Sequence, residues 1–246
     1  ALYNRQYFIE HLQQRMNSLA ESGEYAYLLL IDLDHFKTVN DSLGHDIGDR
    51  LLQSVVARLQ LDVPEGCVIA RLGGDEFIIT GSDFPARQDC ERAALETSER
   101  LVASLKEPYI VDQHHLYISA SIGVSILSGR SANANRFIKE ADIAMYEVKA
   151  KGRDGVFMFN EEMSARVERN LEIERLLHFA LSNGEITLHF QPQLDRDGRI
   201  IGAESLVRWH SPTLGEISPT RFIPIAEQTG LIVELGNHIL ETGFRT

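Results

Sequence analysis

The sequence predicts an α+β fold, a central antiparallel-rich sheet flanked by helices, followed by a second unit of different texture. Three observations predict it. Over residues 1–159, amphipathic helical segments alternate with neighbouring strand-like segments that occur in pairs. Arg71-Leu72-Gly73-Gly74-Asp75-Glu76-Phe77 lies between Val68-Ile69-Ala70 and Phe77-Ile78-Ile79-Thr80, the pattern of a hairpin turn joining two buried strands. Beyond Phe159 a charged helical stretch gives way to a proline-rich region, with four of the seven prolines between 192 and 224.

Taken in order, residues 4–21 read as a helix, with Tyr7, Phe8, Leu12, Met16 and Leu19 at three-to-four spacing. Tyr25 to Asp32 is a short apolar strand ending on an acid, and Asp34 to Asp41 follows as a polar loop. The next helix spans Asp46 to Leu61, with Asp46 suited to the N-cap and Leu51, Leu52, Val55, Val56 and Leu59 on one face. After the hairpin come a helix from about Pro85 to Lys106, a strand pair at Tyr109–Val111 and Leu116–Ile126, and a helix from Asn135 to Lys151. Val156 to Phe159 closes the first unit as a strand. A charged helix follows, Glu161 to Leu181, with Val167, Leu171, Leu176 and Leu177 as its apolar positions. Strands at Ile186–Phe190 and Ile200–Val207 then flank a turn at 195–198, and helical stretches begin at Pro219 and Leu231. The boundaries expected are 1–159, a linker helix over 160–183, and a final segment over 184–246.

Composition narrows the functions. The apolar fraction of 43% and charged fraction of 24% are those of an ordinary globular chain of 246 residues. No apolar run approaches the roughly 18 residues of a membrane span, and the best, Tyr27 to Leu33, is interrupted by Asp32. We therefore expect no membrane contact in this segment and a cytoplasmic setting, with any anchor supplied by upstream segments of a longer parent protein. Cys67 and Cys90 make no disulfide framework and fit a reducing compartment. A net charge of −12 opposes binding to a nucleic-acid polymer, which wants a basic face, but leaves room for a nucleotide offset by local lysines and metal ions.

The hairpin carries the chemistry. Gly73 and Gly74 leave the turn without Cβ atoms, so a bulky ligand can approach the backbone, and Asp75 and Glu76 stand at its mouth. A polar hairpin tip explains one glycine and one acid; it does not explain a second acid directly before an apolar strand. If the strand ending at Asp32 neighbours the hairpin, three carboxylates meet at one sheet edge, a hard-oxygen set suited to Mg²⁺ held partly by a substrate's phosphates. Lys37 and exposed N–H groups after Asp34 could cradle a triphosphate. Lys149 and Arg153 end the last helix of this unit, where bases serve equally as dipole partners or solvated charges.

These residues resemble a GGDEF-family domain, the diguanylate cyclase module. Beyond Gly73–Phe77 the resemblance takes in Leu2-Tyr3-Asn4-Arg5, Ile31-Asp32-Leu33-Asp34-His35-Phe36-Lys37, Asn40-Asp41 and Gly44-His45-Asp46-Ile47-Gly48-Asp49. It continues through Ser121-Ile122-Gly123-Val124, Ala141-Asp142-Ile143-Ala144-Met145-Tyr146, Lys149 and Gly152-Arg153, covering roughly residues 1–159. The resemblance implies a nucleotidyl-cyclase-like sheet that condenses two GTP to cyclic di-GMP with release of pyrophosphate. By the same resemblance Asp32, the Leu33 carbonyl, Asp75 and Glu76 hold two Mg²⁺ (or Mn²⁺) ions per site, and Asp75 and Glu76 are the catalytic acids, Asp75 assisting deprotonation of the 3′-hydroxyl. Asn40 and Asp49 read guanine, whose donor and acceptor edge such a pair can match. His45 lies near the ribose or base, Gly73 and Gly74 line the GTP site, and Lys37, Lys149, Arg153 and the His35–Phe36 backbone hold phosphates. One domain holds one GTP, so the implied chemistry needs a homodimer with two sites facing each other.

Two departures from the family pattern carry expectations. Its opening Asp-x-Leu-Thr would precede Leu2 and is absent, which points to an upstream sensor or linker in the parent protein. Many members carry an Arg-x-x-Asp product-inhibition site whose Asp is separated from the signature by five residues; here those positions are Pro64 and Cys67, so that brake is expected to be missing and Pro64-Glu65-Gly66 to be a turn.

From about residue 172 the chain resembles the start of an EAL-family cyclic di-GMP phosphodiesterase domain. Phe190-Gln191-Pro192, Gly202 to Trp209, Ser218-Pro219, Phe222-Ile223-Pro224 and Ala226 to Ile232 carry the likeness. It implies a metal-binding role for Glu204 and dinucleotide contacts for Gln191 and Arg208; an ordinary strand-end acid at Glu204 is the reading that the surrounding match disfavours. A TIM-type barrel of eight strand–helix units takes about 250 residues, and residues 160–246 supply only its first elements. We expect no phosphodiesterase activity from this segment and a tail that is partly disordered, packed on the first domain or exchanged with a neighbour, because an open barrel exposes strand edges and apolar faces. Three functions are then in play: a cyclase, a GTP-binding regulatory domain controlling an EAL phosphodiesterase, and a non-catalytic cyclic di-GMP receptor or scaffold.

Overall fold

The computed structural model describes residues 2–129 and 133–245. The chain divides into two compact units, Ala1–Ser164 and Ala165–Thr246.

In the first unit a five-stranded sheet has the order β2-β3-β1-β6-β7. Its strands are β1 (Tyr25–Leu33), β2 (Val68–Gly73), β3 (Glu76–Thr80), β6 (Ala120–Ser128) and β7 (Gly155–Met158). All neighbours are antiparallel except β6 and β7, which run parallel with Ile122 opposite Val156. The central strand β1 is buried on both faces, which is why it reads as a continuous apolar run and not as an alternation. Tyr27, Leu29, Ile31 and Leu33 pack on one side with α3 (His45–Asp62) and α4 (Arg87–Lys106), through Leu51, Val55, Leu59 and Leu101. Ala26, Leu28 and Leu30 pack on the other with α1 (Arg5–Ser22) and α5 (Ala134–Ala150), through Phe8, Leu12, Met16, Phe137, Ala141 and Met145. Helices thus cover both faces of the α+β sandwich.

Three local features differ from the sequence reading. The polar segment after β1 is not a loop but a helix, α2 (Phe36–Leu43). It is too short to show periodicity. His35 turns the chain at φ 60, Phe36 is driven into the core, and Gly44 ends the helix with its N–H on the Asn40 carbonyl at 2.9 Å. The helix that follows starts at His45 with Gly44 as its N-cap, so Asp46 lies in the first turn and caps nothing. Leu116–Ile126 is two strands: β5 (His114–Leu116) pairs with β4 (Tyr109–Val111), and the chain breaks before β6, where the Ser119 carbonyl accepts the Asp34 N–H at 2.9 Å. Elsewhere the expected elements are present, and Cys67 and Cys90 are free thiols. Pro64-Glu65-Gly66 forms a turn, closed by Cys67 N–H on the Pro64 carbonyl at 3.3 Å.

Helix α5 approaches the sheet closely at Gly123. A Cβ there would stand 1.9 Å from the Ala141 carbonyl oxygen and 2.5 Å from the Met145 nitrogen, both backbone atoms of one helix. Gly123→Ala must push the whole helix outward, and we expect a loss of about 1–3 kcal/mol or more, read as a lowered denaturant midpoint at unchanged m-value.

The second unit has a three-stranded sheet, β10-β9-β8, built from β8 (Ile186–Leu194), β9 (Ile200–Ser211) and β10 (Gly215–Ile217). Strand β8 runs through Pro192, which an edge strand tolerates. Helix α6 (Glu161–Ala180) leads into the sheet, and α7 (Pro219–Thr229) and α8 (Ile232–Arg245) follow it. Trp209 anchors the core, edge-on to Phe222 at 5.4 Å and with its indole N–H on Glu185 at 3.0 Å. Residues 165–245 thus form a compact unit with an apolar core of their own. The expected exposed apolar surface is present: Phe190, Leu194, Ile200 and Ile201 on the β8–β9 hairpin all face solvent. No helix among the described residues is long and apolar enough to cross a membrane.

Candidate active site

The site lies where β1 ends beside the β2–β3 hairpin. Asp32 stands opposite Glu76 on β3 and opposite Ser121 on β6. Directly opposed residues share a face, so the Asp32 and Glu76 side chains leave the sheet on the α5 side, and Lys149 of α5 meets Asp32 at 2.7 Å. Gly74 turns the hairpin at φ 52, and a Cβ at either glycine would meet nothing within 4 Å. The turn is fixed from behind by Arg71, whose Nε and Nη2 donate to the Gly74 carbonyl at 2.9 and 2.7 Å. Asp75 is half-buried, and its carbonyl accepts the Leu33 N–H at 3.3 Å, placing it beside the end of β1.

The electrostatics of this edge are those of crowded carboxylates with one lysine beside them. Burial raises the Asp32 carboxyl above its ordinary value; Lys149 opposes the rise, while Asp75 and Asp34 add to it. Burial likewise raises Glu76, with repulsion from Asp32 adding, Lys149 opposing, and Asp142 and Asp75 adding further. Among the described residues no three His, Cys, Asp or Glu side chains converge as a ready-made metal cluster. Asp32, Asp75 and Glu76 share the edge, and the cation beside Asp32 is the Lys149 ammonium. The donor set nevertheless fits a divalent cation: its oxygens are hard, and its raised carboxyls would be relieved by one. A carboxyl raised on folding lends the native state stability below its unfolded value, and that stability is lost as pH rises through the folded value. Glu76→Gln, in chelator, should therefore raise Tm slightly at about pH 7.5 and lose that gain below about pH 4. Paired thermal melts check this, and a gain that persists at low pH would rule out charge as its cause.

The remaining expected residues fall into three groups. His35 and Lys37 are exposed at the start of α2, where the first N–H groups of a helix lack intrahelical partners, and Phe36 between them is buried. Asn40, also on α2, packs over Gly48 of α3; its Oδ1 is buried without a hydrogen-bond partner among the described residues. Asp49 follows Gly48 and is exposed, as is His45 at the first position of α3. Arg153 is exposed in the turn after α5 at φ 67, its Nε 4.0 Å from Asp34. Sequence reasoning missed two residues here. Asp34 is buried under hydrogen bonds, signalled only by its spacing two residues after Asp32. Gly48 is the buried glycine within α3, signalled by a glycine inside a helical pattern.

In the second unit Gln191 stands opposite Glu204, and Arg208 follows four residues along β9 on the same face. That face is the reverse of the one carrying Ile186, Val207 and Trp209 into the core. Arg208 donates to the Val207 carbonyl at 2.9 Å.

Residues 1–155 match the diguanylate cyclase GGDEF domain family, and residues 174–246 match the EAL domain family. The chain is 38% identical over 245 residues to MucR of Pseudomonas aeruginosa, a bifunctional diguanylate cyclase/cyclic di-GMP phosphodiesterase, covering 99% of this chain and 35% of that protein. It is 37% identical over 245 residues to NbdA, a cyclic di-GMP phosphodiesterase of the same organism, covering 99% of this chain and 31% of NbdA. The chain thus spans about a third of the length of these curated relatives. Among solved structures, the GGDEF domain of YfiN from Pseudomonas aeruginosa aligns at 30% identity and a TM-score of 0.60, over 65% of this chain and 98% of that one. The GGDEF domain of DgcB from Caulobacter crescentus, solved with c-di-GMP, aligns at 25% identity and a TM-score of 0.57, over 64% and 91%.

Proposed function

Because the chain belongs to the GGDEF family, followed by the start of an EAL domain, we propose that its first unit condenses two GTP into cyclic di-GMP. The observation that carries this is the meeting of Asp32, Asp75, Glu76 and Lys149 at one sheet edge beside a turn open to a ligand. In the reaction the 3′-hydroxyl oxygen of each GTP attacks the α-phosphorus of the other. The bond to pyrophosphate breaks, and the hydroxyl proton leaves through a base. Asp75 is that base in our reading: it follows the open turn and lies beside Leu33 at the end of β1.

Asp32, the Leu33 carbonyl oxygen, Asp75 and Glu76 are the donors that would hold Mg²⁺ or Mn²⁺, which supplies charge neutralisation on the phosphate oxygens when bound. The α2 N-terminus with Lys37, and Lys149 with Arg153, hold the triphosphate from two sides. Asn40 offers its unpaired acceptor, and Asp49 a second one, to the N–H donors of guanine. One unit supplies one GTP, so two copies must face each other, and their alignment contributes much of the rate.

The likeness to NbdA and the EAL match favour a second reading, in which GTP binding by this unit regulates a phosphodiesterase. We assign Gln191, Glu204 and Arg208 to the dinucleotide and metal site of that phosphodiesterase. Incubation of the paired chain with GTP and Mg²⁺, followed by chromatography of the products, separates the readings. Cyclic di-GMP with pyrophosphate supports the cyclase. Tight GTP binding without product moves the assignment to the regulatory domain, and binding of cyclic di-GMP alone to a receptor.

A further inference from the structure

We infer that Asp34 is a positioning residue for the triphosphate, acting through the turn that carries Arg153; this rests on the phosphate role proposed above for Lys149 and Arg153. Asp34 is buried beneath the site. Its Oδ2 accepts the Ser119 hydroxyl at 2.6 Å and the Asp154 N–H at 3.1 Å; its Oδ1 accepts the Ser121 hydroxyl at 2.7 Å, with Arg153 Nε at 4.0 Å. One carboxylate therefore joins the end of β1 to the start of β6 and to the turn between α5 and β7.

That turn needs holding. Arg153 and Asp154 are consecutive residues at φ 67 and 53, a conformation that side chains bearing a Cβ disfavour. The Asp154 N–H on Asp34 and the Asp154 carboxylate paired with Lys106 oppose its relaxation. Lys149 lies in the last turn of α5, and Arg153 N–H returns to the Val148 carbonyl at 3.0 Å, so the turn also closes that helix. If it relaxes, Arg153 swings away from the end of β1, while Asn40 and Asp49 on α2 and α3 stay where they are. The inference is thus specific to the phosphates and not to the base.

Asp34→Asn tests this with little change of shape. An amide offers one acceptor and one donor where the carboxylate offers two acceptors. In one orientation its NH₂ faces the Asp154 N–H, and in the other it faces Arg153. Titration of the full chain with a non-hydrolysable GTP analogue should show affinity reduced on the order of tenfold, with guanosine binding unchanged. Arg153→Ala should give a similar loss, and the double variant no more than Arg153→Ala alone, because both act through one contact. Losses that multiply, an equal loss for guanosine and the triphosphate, or unchanged triphosphate affinity would each overturn the inference. If thermal melting shows that Asp34→Asn does not fold, Ser119→Ala removes one partner of Oδ2 and should show a smaller loss with the same non-additivity; full additivity overturns it. Failure of the unsubstituted chain to bind the analogue would overturn the phosphate assignment itself, whereas binding that Asp34→Asn leaves intact overturns only this inference.

Discussion

Asp75→Asn should abolish most of the proposed turnover: cyclic di-GMP formation should fall on the order of 10²–10⁴-fold, the range a positioned general base contributes. The fold should not pay for it. Asp75 packs into no core; it follows a turn whose glycines face open space, and what it gives the fold is its backbone carbonyl to Leu33 N–H, which asparagine keeps. The substitution is isosteric and removes one negative charge from an edge already crowded with Asp32 and Glu76, so Tm should hold or rise slightly. Asn40 and Asp49, the residues proposed to read the base, lie on other elements, so guanosine affinity should be unchanged while kcat collapses. Initial rates by chromatography, set beside melting and binding curves for the same preparation, check all three. A variant that retains turnover within about tenfold would remove Asp75 from the role of base, since general base catalysis contributes about 10²-fold or more.

How much of this is legible in the sequence depends on how far apart the interacting residues lie. Strand β1 was legible because burial on both faces leaves one unbroken apolar run, and the hairpin was legible because only glycines suit its turn. The helix α2 was not. It has eight residues, and its place is set by His35 leaving the strand at positive φ and by Phe36 entering the core, neither of which makes a periodic pattern. The break between β5 and β6 was hidden for a similar reason: Ser119 leaves the ladder to bind Asp34, 85 residues earlier. Asp34 itself looked like one more polar residue after a strand, because its partners are 85, 87 and 120 residues away. The sequence brought the acids to one edge only on the condition that β1 neighbours the hairpin, which the pairing of Asp32 with Glu76 supplies, and it did not reveal that Lys149 sits as the counter-charge beside Asp32. In the second unit the motif residues Gln191 and Glu204 were legible as types, and their direct opposition across β8 and β9 follows only from the register.

Gly48→Ala is the second large effect, and it separates base recognition from stability. Within a helix, alanine is favoured over glycine by about 0.8–1 kcal/mol, so α3 itself gains from the change. The cost falls elsewhere. A Cβ at Gly48 would lie 1.9 Å from Asn40 Oδ1, 3.0 Å from its Cγ and 3.3 Å from Phe36 Cζ. Phe36 is locked in the core, so the Asn40 side chain is the group that must move. Its Oδ1 is buried and has no hydrogen-bond partner among the described residues, so no internal bond holds that oxygen in place and it is left as an acceptor for the donor proposed above. Guanine presents N–H donors where adenine presents an acceptor, so displacing this oxygen should cost GTP roughly 1–3 kcal/mol, on the order of 10- to 100-fold in affinity, and should leave ATP almost unaffected. The ratio of GTP to ATP affinity is the measurement, taken with Tm as a control. A compressed ratio at unchanged Tm places the Asn40 oxygen on the base. An unchanged ratio with lowered Tm would instead make Asn40 a packing residue between α2 and α3, and guanine selection would then rest on Asp49.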